Sequence, residues 1–214
     1  MLIRICGSFF MLVSMNIALA AAPEKIKPQR PDTAILKHYS PDNTEIEIRL
    51  DGDFTGDGLD DVAFVAASEE KRVLIVMAGY VDEFDLGHES IGQAELETHP
   101  LGAASLNFKK GVLIVEDLTG GTTAINALYR YRFDKTKKRM QLIGDDLTYY
   151  SRTNLHDSIK VSTNRLTGQS ISQVSKLKDD GYEDQAAITK KVSSKAIYME
   201  DTPNPCIALG CTDL

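Results

Sequence analysis

The sequence predicts an all-β, mainly antiparallel fold, built as a single non-repeating β-sheet domain with little helix. Two observations predict it. From Thr44 onward the chain is a succession of short segments that either alternate apolar with polar residues or are apolar throughout, the two patterns of half-buried and fully buried strands. Between them lie brief polar breaks rich in Gly, Asn, Asp and Lys, short enough to join antiparallel neighbours.

The elements follow in order. Residues 1–20 read as a secretory signal peptide: Arg4 supplies the positive end, Ile5 to Val13 with Met15 and Ile17 the apolar core, and Ala18-Leu19-Ala20 the small-residue cleavage site. Cleavage is expected after Ala20, within the one or two residues that Ala21-Ala22 leave open. The apolar run is shorter than the ~20 residues of a spanning helix. No lipobox cysteine follows it, so no stable membrane anchor is expected after cleavage and the localisation implied is periplasmic or secreted. Residues 21–43, with Pro23, Pro28 and Pro31, are expected to be an exposed linker with one or two helical turns at Ala34–Tyr39.

The β domain is placed at residues 44–200. Glu45 to Leu50 alternates strictly, and Val62 to Ala66 is a short apolar run. Arg72 to Met77 reads as a central strand buried on both faces. Residues 80–102 sustain no period and are expected to form an excursion loop. Ala104–Phe108 and Val112–Glu116 make a hairpin around Lys109-Lys110-Gly111. Thr119-Gly120-Gly121-Thr122 is a turn, since two glycines without a following helix are no phosphate cradle. Ala127–Phe133 and Met140–Gly144 form the clearest hairpin. Ser158–Ser162 and Ser170–Val174 flank Asn164 to Gly168, whose Asn and Gly suit a reversal. Ala187–Val192 and Ala196–Met199 close a count of about nine or ten strands. The acidic stretch Asp179 to Asp184 is expected to be an exposed turn. Residues 201–214 form a tail in which Cys206 and Cys211, the cysteines left once Cys6 departs with the signal, are expected to pair in a local disulfide.

The most informative stretch is Asp53-Phe54-Thr55-Gly56-Asp57-Gly58-Leu59-Asp60-Asp61. Calcium takes six to eight oxygen ligands at about 2.3 to 2.6 Å, and a short loop supplies them by turning every second residue inward. Counting from Asp53, those positions are Asp53, Thr55, Asp57, the Leu59 carbonyl and Asp61, with Gly58 permitting the sharp bend. An EF-hand would continue to a bidentate Glu, but Phe64 stands there. Read without a metal, the same stretch is a solvated acidic turn in which Asp51, Asp53, Asp57, Asp60 and Asp61 repel one another.

Gly52-Asp53-Phe54 through Asp61-Val62-Ala63 resembles the FG-GAP type of calcium loop, also found in VCBS-like proteins, in which D-x-D-x-D-G-x-x-D joins two strands. The resemblance covers about twenty of 214 residues. It implies a Ca²⁺ ion between two strands, and Thr55, where that family more often has Asn or Asp, implies a weaker site. Such loops usually sit in β-propellers of repeated blades, but here the motif occurs once and the chain is short for a seven-bladed ring. With the Leu142-Ile143-Gly144 strand end and the Asn164–Gly168 turn, the chain is similar to small single-motif bacterial periplasmic proteins without assigned function.

Loss of residues 1–20 removes one cation and leaves 23 basic against 31 acidic residues, a balance of −8. No basic stripe exists, which argues against nucleic acid as a partner. His38, His88, His99 and His156 lack the close spacing of zinc ligands, and no Gly-x-Ser-x-Gly elbow surrounds any serine. The sequence therefore points first to a non-enzymatic secreted or periplasmic β-protein with a structural calcium ion and a protein or glycan partner. An inhibitor or immunity-type protein with an incidental calcium loop is the alternative. A glycan- or ester-directed hydrolase using paired carboxylates is the third.

Overall fold

The computed structural model describes residues 30–211. The expected signal segment, residues 21–29 of the linker and residues 212–214 lie outside the described residues. The described chain is an antiparallel β structure of two sheets with two short α-helices.

Helix α1 (Thr33–Tyr39) starts because the Asp32 carboxylate caps the Ile35 amide at 2.9 Å, and it ends at Ser40, held extended ahead of Pro41. The first sheet is a meander in the order β1 (Glu45–Gly52), β2 (Asp61–Ala67), β3 (Arg72–Val81) and β4 (Leu86–Leu96). β2 and β3 lie inside it and are buried on both faces, as their unbroken apolar runs require. Ala63, Val65, Leu74 and Val76 point toward the second sheet, while Phe64, Ala66, Val73 and Ile75 pack with Leu36 of α1 on the outer face.

The second sheet runs β11 (Gly181–Asp184), β10 (Gln169–Lys178), β9 (Ser158–Asn164), β8 (Arg139–Ser151), β7 (Thr123–Asp134), β6 (Val112–Gly120), β5 (Ser105–Lys109). Two further strands join it: β12 (Ile188–Lys191) on β10 and β13 (Ile197–Tyr198) on β8. A 3₁₀ turn (Met199–Asp201) and helix α2 (Pro205–Leu209) complete the described chain. One apolar core joins the two sheets, with Leu113, Val115, Tyr131, Leu142 and Leu147 of the second facing Val65, Leu74 and Ile91 of the first. Gly92 lets β4 approach closely, because a Cβ there would lie 3.1 Å from both Met140 and Met199.

Three expectations are corrected. Residues 80–102 are not an excursion loop: most of them complete β3 and form β4. The period is hidden because Ile91 is an extra residue in the pairing, Val76 opposing Gly92 and Met77 opposing Ser90, so the inward-facing positions change phase there. The acidic stretch 179–184 is more than a turn, since Gly181–Asp184 pairs with Ser175–Lys178 as the outermost strand. The local disulfide is not formed. Cys206 and Cys211 are free, and the tail is closed by backbone instead: Gly210 takes a left-handed cap and the Cys211 amide donates to the Cys206 carbonyl at 3.0 Å. Burial, with Cys206 alongside, pushes the Cys211 thiol up to about 12, far from the thiolate that reacts.

Candidate functional site

The Asp53–Asp61 loop is the β1–β2 connection, and the ladder closes its neck by pairing Gly52 with Asp61. Its three carboxylates share one task. The Asp61 Oδ2 accepts from the amides of Phe54 and Thr55 at 2.6 and 2.9 Å. Asp53 accepts from Gly56 and Asp57 through Oδ1, at 2.7 and 3.1 Å, and from Gly58 through Oδ2 at 3.0 Å. Asp57 Oδ1 accepts from Leu59 at 2.9 Å. Every backbone N–H from Phe54 to Leu59 therefore ends on one of these acids. Carboxylates at every second or fourth position are what a tightly curled chain needs to satisfy amides that have no ladder partner.

The curl depends on two residues in the left-handed region, Gly56 at φ 73° and Gly58 at φ 86°, where a side chain would cost about 1 to 2 kcal/mol. Three contacts fix the loop to the body. The Asp61 carboxylate is wholly buried and also takes the Gly79 amide of β3 through Oδ1 at 2.9 Å. His88 of β4 meets the Asp60 carbonyl through Nε2 at 3.0 Å, and since a carbonyl only accepts, that nitrogen carries the proton. Phe54 is buried edge-on against Phe108 of β5, ring centres 4.9 Å apart. Burial lifts the Asp61 carboxyl above the usual aspartate range against the pull of its three amides, and the nearby Asp57 charge pushes the same way.

The predicted ligands are thus gathered into one loop, with the three carboxylates turned onto its amides. Thr55 is buried with its hydroxyl 3.5 Å from Asp53 Oδ1, and Leu59 is engaged through its amide, not its carbonyl. Among the described residues no group of three or more His, Cys, Asp or Glu side chains is placed to hold a metal ion. The donor set nevertheless fits a hard cation in chemistry: it is all oxygen, and it retains accepting capacity, since a carboxylate offers about four lone-pair directions. Asp57, exposed, has one of them occupied by a protein donor. One cation lies close by, since the Lys135 ammonium, from the β7–β8 turn, is 3.8 Å from where a Cβ on Gly56 would be.

A second ionic centre was not legible in the sequence. Arg72, which opens the apolar run of β3, is buried between the sheets. It binds Glu47 of β1 through Nε and Nη2 at 2.9 and 2.8 Å, and Asp117 of β6 through both terminal nitrogens at 3.1 Å. Its Nη1 also donates to the Glu97 carbonyl at 2.6 Å, and Glu47 takes the Ala104 amide at 2.7 Å. The two acids move apart. Burial raises Asp117 and Arg72 offsets only part of that, whereas for the less buried Glu47 the Arg72 and Ala104 bonds outweigh burial and hold it below its usual range. The signal available in the sequence was a charged residue heading a run that must be buried on both faces.

Fold and loop together define a two-sheet antiparallel β-protein with an amide-saturated acidic loop. Comparison of the chain with protein-family models, with curated proteins and with solved structures gives no match.

Proposed function

We propose that this chain is an exported, non-enzymatic β-protein whose Asp53–Asp61 loop takes a calcium ion as a structural clamp between β1 and β2, leaving its surfaces to bind another macromolecule. The observation that carries the reading is the concentration of three carboxylates on six consecutive amides within nine residues. Amides orient the acids but do not neutralise them, and a dication does. Asp53, Asp57 and Asp61 would hold it, with the Thr55 hydroxyl and Leu59 carbonyl as neutral ligands. The ion would supply charge neutralisation and a cross-link. The resemblance to FG-GAP loops supports this, and the signal-like residues 1–20 would deliver the chain to a compartment where millimolar calcium is met.

The test is thermal melting of the mature chain in EDTA and in calcium. A site of about 10⁻⁴ to 10⁻³ M affinity, typical of extracellular modules, adds about 1.4 to 2.7 kcal/mol at ~10 mM calcium. That corresponds to a rise of about 3 to 10 °C for a chain of this size. Asp57→Ala, which touches the fold only through the Leu59 amide, should remove the rise while melting almost as the parent does in EDTA. Superimposable curves for the parent with and without calcium would overturn the reading.

A further inference from the structure

A cleft of ≈ 500 Å³ opens beside the end of β4, between residues 96–98 and the connection from the 3₁₀ turn to α2. We propose that it is a binding site for a primary alkylammonium group, one that neither the calcium loop nor the proposed calcium clamp involves. Charge, a tyrosine hydroxyl without a protein partner and size support the assignment.

The carboxylates at the cleft outnumber the cations that serve them. Glu95 faces Lys71 at 3.9 Å and Glu200 binds Arg139 at 2.7 Å. Asp117 has to share Arg72 with Glu47. Glu97 has no cationic partner among the described residues, and its carboxylate accepts only the Asn204 amide at 2.9 Å. With Glu47, which does not line the cleft but competes for Arg72, five acids meet three bases and two negative charges are left unbalanced. An anion would be repelled there, and a neutral ligand would leave those charges without a counterion.

The second observation is Tyr129. It is 5% exposed, lies among the residues lining the cleft, and its hydroxyl has no hydrogen-bond partner among the described residues. The neighbouring Tyr131, equally buried, spends its hydroxyl on Thr202 at 2.9 Å. Asn126 Oδ1 is the one buried side-chain polar atom left unpaired among the described residues, so the Tyr129 oxygen, which has no protein partner, is reached by solvent and can accept from a donor entering the acidic cleft. An ammonium has three donors and no acceptor, matching Glu97, Asp117 and the Tyr129 oxygen. Ala127 and Met199 offer apolar surface for an aliphatic stem. The volume lies in the range of small-ligand sites. Arg72 contributes by holding Asp117 in a bidentate grip, so that its carboxylate is fixed before the ligand arrives.

The ammonium could belong to a free amine or to a lysine of a partner chain, and the experiment separates them. Calorimetric titration of the calcium-loaded full chain uses three probes: cadaverine, a capped peptide with one lysine, and the same peptide acetylated on that lysine. The lysine peptide or cadaverine should bind saturably and the acetylated peptide should not; the tighter of the two names the source. Glu97→Gln should weaken binding about tenfold or more and Tyr129→Phe about threefold to tenfold. Both variants keep the shape of the side chain, and unchanged melting curves would separate lost binding from lost structure. No saturable binding of either amine, equal binding of the acetylated peptide, or unaltered affinity in both variants would overturn the proposal. A negative result here leaves the calcium melting test untouched, and the reverse holds too.

Discussion

The loop and the inter-sheet centre hold carboxylates in opposite ways. In the loop, three aspartates are satisfied by six backbone amides, and the charge stays where it was. Between the sheets, Glu47 and Asp117 close on one buried guanidinium, which brings its own charge to the bond. Amides confer shape without charge, and arginine confers shape together with one positive charge against the two acids. The loop therefore holds its acids with amides alone, whereas the centre brings a cation of its own.

The largest effect should come from breaking the centre that carries its own cation. Arg72→Met leaves two carboxylates facing each other in the interior, and removal of one partner from a buried ionic group costs about 3 to 5 kcal/mol. Urea unfolding should show that loss. Combining Arg72→Met with Glu47→Gln and Asp117→Asn should recover most of it, because the penalty lies in the stranded charge. If the single variant unfolds at the parent's midpoint, the centre carries no such charge penalty and the contrast with the loop fails.

Next comes the member that works through amides. Asp61→Ala strips the partner from the Phe54, Thr55 and Gly79 amides at a position with no exposure. Leaving buried donors unpaired should cost about 2 to 4 kcal/mol. The loss should be present in EDTA, since the amide bonds do not depend on an ion. A loss seen only in calcium would mean that Asp61 acts on the metal alone.

These two centres also mark what could be read from the sequence. The loop was legible because its alternation is local: whether the acids serve a cation or amides, both demand the same spacing. What the sequence concealed was the direction in which they turn, set partly by Gly79, eighteen residues beyond Asp61. Arg72 was concealed altogether, since Glu47 and Asp117 lie 25 and 45 residues away and only the stacking of two sheets brings them together. Strands followed the same rule. β2 and β3 announced themselves by continuous apolar runs, and β7 and β8 by alternation. β4 did not, because the extra Ile91 shifts its phase. The cysteine pair misled by proximity: a C-cap closes that turn through the backbone without a covalent link.

Acid titration should separate the centres further, by a smaller amount. Glu47 is held below its ordinary value in the fold, so its contribution is present above the unfolded glutamate pKa of about 4.3 and is lost as pH falls through the folded one. Asp117 is raised, so it works the other way, favouring the fold at low pH and losing that advantage as pH rises through its folded value. Glu47→Gln should thus flatten the decline of stability below about pH 4.3, measured by denaturant midpoints across the acid range. An unchanged acid limb would show that Glu47 gains nothing from its ionised form in the fold.

The smallest effect tests whether the loop really stands open to cations. Lys135 places an ammonium near Gly56 from the adjoining hairpin turn, where it partly screens the acids and opposes an arriving dication. Lys135 and Asp57 are both exposed, so the interaction is weak, and Lys135→Gln should tighten calcium by less than about threefold. The gain should shrink as salt is raised, because charges more than about 10 Å apart at ~0.1 M are screened and nearer exposed ones are weakened. Competition against a calcium indicator would read it. Weaker binding in Lys135→Gln would mean that the lysine supports the loop's shape more than it opposes the ion.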